Sequence, residues 1–329
     1  MSFLSTFTPE HCVFNGDADG LCALQQVRSA TSHAGANAPR LITGVKRDIE
    51  LLDRLVGTRD AAIVALDISL DKNRPALERL LAANNQVLYI DHHHAGEIPD
   101  SPLLRAHIDP APHICTSLIV DRLLEGRYAA WAIVGAFGDN LLQTAVERAG
   151  ALQLDRNRTD ALQEIGMLLN YNGYGETLAD LHVPPDQLAR EMAPFADPWA
   201  YARESALLPR IRAGYEADME HMRSCRPHET FPGGRVFLLP DAPWSQRVSG
   251  IFANQCANEM PDAAHAIMHK QRDAYRISVR APKNRPFGAD ELCRRFESGG
   301  GRAMAAGINR LPLGELDRFL ASFRQHFSA

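Results

Sequence analysis

Between His11 and about residue 150, short apolar runs alternate with longer amphipathic stretches, and this alternation limits the fold more than any other feature of the sequence. The runs Cys12–Phe14, Leu41–Val45, Ala61–Leu66 and Val87–Ile90 are too short for buried helices and are predicted strands. Between them, Leu21–Ser32, Ile49–Val56 and Arg74–Ala83 repeat apolar residues at three and four, the period of a helix that lays one face on a sheet. Strands separated by helices pair in parallel through crossovers rather than as hairpins. The expected class is α/β, with an N-terminal doubly wound parallel sheet.

Ligands of such sheets bind beyond the carboxyl ends of the strands, so the polar residues just after each run carry the most information. Cys12–Phe14 leads into Asn15-Gly16-Asp17-Ala18-Asp19-Gly20, Ala61–Leu66 into Asp67, and Val87–Ile90 into Asp91-His92-His93-His94. Gly16 and Gly20 permit a bend through which Asp17 and Asp19 can reach one ligand. Together with Asp67, with His92 and with Asp139 of Phe137-Gly138-Asp139-Asn140, they form an oxygen and nitrogen set suited to Mn²⁺ or Mg²⁺ rather than to a thiolate metal. Two divalent ions sharing a carboxylate would balance this negative charge better than one. Each part also has an ordinary reading: acidic turns often cap helices, Asp67 could cap a helix near Asp71, and Asp139 could lie on a helix surface. Recurrence after successive strands sets the group apart.

The 329 residues exceed the usual span of one domain, which leads us to expect two. Residues 1–150 form the first, with the candidate metal ligands. Residues 151–227 read as a helical connector through Asp160–Leu169, Pro185–Met192 and Ile211–Met222. Residues 228–329 read as a smaller α/β domain: strand-like Val236–Leu239, Ala264–His269 and Tyr275–Val279 alternate with helix-like Val248–Asn258, Ala289–Phe296 and Leu313–His326. A net charge of −5 argues against a protein that coats long nucleic acid, which needs surplus Lys and Arg. The six cysteines lack any Cys-x-x-Cys pair, disfavouring a zinc module or a disulfide framework. An N-terminus without a basic leader and the absence of a long apolar span lead us to expect a cytoplasmic protein with no membrane partner.

Near the C-terminus, Ser298-Gly299-Gly300-Gly301-Arg302 lets backbone approach an anion, although a flexible turn is the plainer reading. Upstream, in Arg276-Ile277-Ser278-Val279-Arg280, strand alternation puts Arg276, Ser278 and Arg280 on one face, where guanidinium forks suit phosphate.

The ordered set of Asp17-Ala18-Asp19-Gly20, Leu66-Asp67, Asp91-His92-His93 and Gly138-Asp139-Asn140 resembles the four motifs of the DHH phosphoesterases, and its first motif is most similar to the RecJ-like branch. The resemblance implies that Asp17 and Asp67 hold one metal, and that Asp19, His92, Asp139 and a bridging Asp67 hold the other. It places His93 near the scissile phosphate as a substrate ligand or proton donor, and makes Asp91 the partner that orients an imidazole. His94 lies outside the motif. Where family members commonly carry His or Asp before the first aspartate, this chain has Asn15, whose amide oxygen can ligate a metal but brings no charge. The pair of C-terminal segments is similar to the DHH-associated domain, implying substrate contacts from Arg276, Ser278, Arg280, Gly299, Gly300, Gly301 and Arg302, the last standing where a His is frequent. The implied activity is a phosphodiesterase with two Mn²⁺ ions, or Mg²⁺, acting on short oligonucleotides or cyclic or linear dinucleotides. The alternatives are a RecJ-like single-strand exonuclease, a 3′-phosphoadenosine nucleotide phosphatase and a nucleotide-binding protein without catalysis; a homodimer is compatible with each.

Overall fold

A computed structural model describes residues 7–31 and 38–328. Residues 1–6, which bear on the expected lack of a leader, and Ser32, at the end of the first helical stretch, lie outside the described residues. The chain divides into two compact units, one ending at Tyr215 and the other beginning at Glu216.

In the first unit, β1 (His11–Phe14), β2 (Arg40–Ile42), β3 (Ala62–Leu66), β4 (Gln86–Asp91) and β5 (Leu104–Ile108) form a sheet of order β2-β1-β3-β4-β5, parallel throughout. This is the doubly wound arrangement expected from the alternation. The strand β5 is not legible as an apolar run because it is an edge strand whose residues stay partly exposed. Ile49–Val56 forms a 3₁₀ turn, Leu51–Leu55, instead of an α-helix; its buried Leu51, Leu52 and Leu55 account for the apolar spacing. One core cluster joins Ile63, Ala65, Val87 and Tyr89 of the sheet to Leu77 and Leu80 of the helix Leu70–Ala82.

The helices of this unit are α1 (Ala18–Ala30), α2 (Leu70–Ala82), α3 (Thr116–Leu123), α4 (Ala129–Gly138), α5 (Leu142–Ala151), α6 (Arg156–Asn172), α7 (Pro185–Met192) and α8 (Pro198–Glu204), with α9 (Leu208–Ser224) crossing the division. Nearly every residue of α4 is buried, as a helix apolar on all sides requires, and it packs on α1, α3 and α6. The residues expected as a connector are helical, and α6, α7 and α8 pack on α1 or α4 of the first unit. The boundary consequently falls at Tyr215, not near 150: the buried stripe Leu162, Ile165, Leu168 and Leu169 announces a partner, but not which one.

The second unit holds β6 (Glu229–Phe231), β7 (Gly234–Leu239), β8 (Ala264–Lys270), β9 (Ala274–Arg280), β10 (Gly299–Arg302) and β11 (Ala305–Pro312), in the order β10-β11-β9-β8-β7-β6. The strands β7 and β8 are parallel, joined by the crossover helix α10 (Pro243–Glu259), and the other pairs are antiparallel. Helices α11 (Ala289–Cys293) and α12 (Leu316–Phe327) seal the core through Leu292, Phe319 and Phe323. The glycine-rich stretch is strand β10 and not a free turn. No helix among the described residues is long and apolar enough to cross a membrane.

Candidate metal centre

The parallel register sets Phe14 level with Leu66 and Leu66 level with Ile90, so Asn15, Asp67 and Asp91 emerge side by side at the carboxyl edge of the sheet. Backbone bonds continue the row, from Asn15 N to Leu66 O (3.2 Å) and from Asp67 N to Ile90 O (3.1 Å). The residues after three separate strands therefore meet in one place.

Asp17 caps α1: its Oδ1 accepts from the N–H groups of Asp19 (3.0 Å) and Gly20 (3.1 Å). The capping role of the acidic turn is thus real, but it uses only one oxygen. Asp19 is fully buried and receives Thr116 N at 2.7 Å and Ser117 N at 2.8 Å, the first two amides of α3. The positive end of that helix holds the carboxylate charge without solvent, and each oxygen keeps a second lone pair. Asp67 is buried, accepts from the Thr116 hydroxyl at 3.1 Å, and has a φ of +58°. Burial and the charges of Asp19, Asp17, Asp139 and Asp91 push its carboxyl well above the usual range. For Asp139, at the end of α4, burial and Asp19 raise the carboxyl to about 6. Carboxylates assembled this closely demand a cation.

His92 is oriented to meet that demand. Its Nδ1 donates to the Ile114 carbonyl at 3.0 Å, which leaves the Nε2 lone pair facing Asp67 Oδ1 (3.5 Å) and Asp139 Oδ2 (3.8 Å). His93 Nδ1 pairs with Asp91 Oδ1 at 2.7 Å. Burial opposes protonation of His93, but its bond to Asp91 and the charge of Asp91 prevail, holding the imidazole above its ordinary value. The other oxygen of Asp91 is buried without a hydrogen-bond partner. Ligand atoms of Asp67, His92 and His93 already lie within 4.8 Å of one another. A divalent ion fits Asp67, His92 and Asp139 on this donor chemistry, with Asp19 alongside. His94 is exposed and accepts from Gly96 N, outside the cluster.

The half of the site expected to hold a first ion differs. Lys46 Nζ lies 2.6 Å from Asp17 Oδ2 and 2.8 Å from Asn170 Oδ1, with Asp139 Oδ1 at 3.8 Å. Asn15 donates its amide to Lys46 O at 3.2 Å, and its Oδ1 is buried without a hydrogen-bond partner. The expected ion on Asp17 and Asp67, with Asn15 beside it, does not fit while the ammonium holds the Asp17 oxygen that the helix cap leaves over. A reading confined to carboxylates and histidines after each strand misses Lys46, yet it directly follows the expected run Leu41–Val45 and is legible there. Thr116, Ser117, Ile114 and Asn170 carry no comparable local signal.

In the second unit, Arg276, Ser278 and Arg280 do share one face of β9, partly exposed against buried Ile277 and Val279. Two of them are engaged by α10: Arg276 Nη1 donates to Gln246 Oε1 at 2.9 Å and Arg280 Nε to Asn254 Oδ1 at 3.0 Å. Across the sheet, Ser278, Gly307 and Gly300 align in one row, and Arg280, Ala305 and Arg302 in the next. Small residues on β11 thus leave a shallow floor between Arg280 and exposed Arg302. Of the glycines, Gly299 and Gly301 are required by packing: a Cβ would lie 1.8 Å from Cys293 O in the first case and 2.5 Å from Ala306 Cα in the second. Gly300 alone of the three faces open space.

Residues 233–329 match the family model of the DHHA1 domain. No curated protein matches the chain in sequence. A DHH-domain structure described as a member of a family of ribosomal proteins superposes with a TM-score of 0.66 at 14% identity, covering 98% of this chain and 87% of its own. Exonuclease RecJ bound to manganese gives 0.59 at 18% identity, covering 97% and 89%. A pGpG-specific phosphodiesterase from Vibrio cholerae gives 0.53 at 14% identity, covering 97% and 98%. The chain is a two-unit α/β protein with the DHH fold, and the resemblance to the DHH phosphoesterases extends along its length. Its C-terminal part is similar to the DHHA1 domain.

Proposed function

We propose that the protein is a divalent-metal-dependent phosphoesterase whose first unit carries the chemistry and whose DHHA1 domain holds a short oligonucleotide or a dinucleotide. The observation that carries this reading is the meeting of Asp67, His92 and His93 with Asp19 and Asp139 at the carboxyl edge of the sheet. Asp67, His92 and Asp139, with Asp19 nearby, would hold the ion, Mn²⁺ by preference with Mg²⁺ able to substitute. When bound it supplies Lewis acidity, making water more acidic and drawing charge from a phosphoryl oxygen. The likeness to structures described as manganese-bound RecJ and a pGpG-specific phosphodiesterase supports both the ion and the substrate class.

The chain's own residues set the geometry. Ile114 O fixes the tautomer of His92, and the amides of α3 fix Asp19. Asp91 orients His93 through its Nδ1 and favours the charged imidazole, as suits a proton donor to the leaving oxygen. Arg280 and Arg302 stand on either side of Ala305, with Gly307 and Gly300 in the adjoining row, a floor of small residues that suits one or two phosphates better than a long strand. Net negative charge agrees with a small substrate.

The test is hydrolysis of defined 5′-labelled dinucleotides, cyclic dinucleotides, short oligonucleotides and 3′-phosphoadenosine nucleotides with saturating Mn²⁺. Metal-dependent cleavage of the dinucleotide or short oligonucleotide is expected, and no cleavage of any of them would sink the reading. His93→Ala is expected to lower kcat about 10²-fold on such a substrate while Mn²⁺ affinity is kept. A p-nitrophenyl phosphodiester, whose leaving group needs no proton, should lose far less. Equal losses on both, or lost Mn²⁺ affinity, would make His93 a ligand instead of an acid.

A further inference from the structure

We propose that the ammonium of Lys46 stands in for one of the two cations, so that this centre is built for a single divalent ion beside a fixed organic charge. The inference rests on the metal-dependent reading above and refines it. Four observations place Lys46 as a built-in component.

Its backbone is pinned on both sides, with Lys46 N donating to Gly173 O at 2.8 Å and Lys46 O accepting from Asn15 Nδ2 at 3.2 Å. The side chain is therefore launched from a fixed point. Its Nζ is held by a carboxylate and a neutral amide at once, Asp17 Oδ2 at 2.6 Å and Asn170 Oδ1 at 2.8 Å, brought from the start of α1 and from α6. The ring of Tyr174 lies 5.5 Å from Nζ, adding an aromatic face to the cage. Finally, Asn15, beside this ammonium, is neutral and adds no charge, so Lys46 is the cation already paired with Asp17 and standing 3.8 Å from Asp139.

A dication sharing Asp17 with this ammonium would meet a like charge across a few ångströms in a partly buried site, where screening is weak. Toward Asp139, at 3.8 Å, Lys46 leaves the opposite half free for the ion on Asp67, His92 and Asp139. Lys46 then acts as a positioning residue: it fixes Asp17 and supplies a standing positive charge on the side of the centre away from His92.

The orphaned Oδ1 of Asn15 shows what this half could become without the lysine. Removing the ammonium frees Asp17 Oδ2, and with the Asn15 amide oxygen it would offer hard donors to a second ion. Lys46→Met keeps the apolar stem and removes the charge. Lys46→Arg keeps the charge.

The experiment is a Mn²⁺ titration of the full chain followed by electron paramagnetic resonance and by native mass spectrometry, with circular dichroism checking each fold. Wild type and Lys46→Arg should bind one tight Mn²⁺ per chain with an uncoupled six-line spectrum. Lys46→Met should take a second Mn²⁺, its affinity raised at least about tenfold, and show an exchange-coupled pair. Two tightly bound, coupled ions in the wild type would overturn the inference while leaving the metal-dependent reading intact; this measurement needs no variant to fold. A folded Lys46→Met that still takes only one ion would also overturn it, since the lysine would not be what excludes the second. Failure of the wild type to bind Mn²⁺ would bring down both.

Discussion

Replacing Asp67 by asparagine is expected to abolish hydrolysis, by at least about 10³-fold or about 4 kcal/mol of barrier, while the protein remains folded. Asp67 lies at the centre of the cluster, with His92 Nε2 at 3.5 Å from its Oδ1 and Asp19, Asp17, Asp139 and Asp91 all acting on its charge. An amide removes the charge that an ion on Asp67, His92 and Asp139 would need. Asparagine is the instructive choice because φ is +58° here, in the left-handed region that Asn and Asp tolerate. Alanine would add a backbone cost of about 1 kcal/mol and blur the result. The metal-free variant should melt no lower than the metal-free wild type, since one of several mutually repelling carboxylates is gone. Calorimetric Mn²⁺ titration and single-turnover hydrolysis decide the matter: activity within tenfold of wild type would remove Asp67 from the centre.

The largest loss of stability is expected in the second unit, from Asp218→Ala. Asp218 and Arg247 are both nearly buried and joined twice, Nε to Oδ2 at 2.6 Å and Nη2 to Oδ1 at 3.0 Å, which ties α9 to α10. Truncating the carboxylate removes both of these bonds from a guanidinium in a poorly solvated place, at a cost of about 3–5 kcal/mol. The paired variant Asp218→Leu/Arg247→Met removes both charges and should recover most of that loss, because well-packed apolar groups replace a buried pair at little cost. Urea unfolding of the wild type and both variants measures it. A single variant within about 1 kcal/mol of wild type would mean that water reaches Arg247 after truncation.

Asp218 and Arg247 also mark a limit of sequence reading. Neither stands in a motif, and the two are far apart in the chain, so nothing local announces that they meet. The same holds for Asp19 and the amides of Thr116 and Ser117. Helix α3, whose start holds that carboxylate, is not recognisable in the sequence, nor is α4, because a short helix buried on most sides has no polar face to reveal its period. Strands β5, β6 and β10, at the edges of their sheets, escape for the complementary reason: partly exposed or glycine-rich, they lack the apolar run that marks an inner strand.

What the sequence determined by itself was the parallel sheet and the position of Asp17, Asp19, Asp67, Asp91, His92 and His93 at its carboxyl edge. Both follow from periodicity and from the short distance between a strand and the residue after it, which are properties of neighbours in the chain. Only the tertiary structure decided which side chains share a charge. It put Lys46 on Asp17, Ile114 O behind His92, Arg276 and Arg280 against α10, and the helices after residue 150 onto the first unit instead of between two domains. The physical reason is that electrostatic and packing partners are chosen by distance in space, and a buried charge takes whichever group of opposite sign the fold brings within reach, however remote it is along the chain.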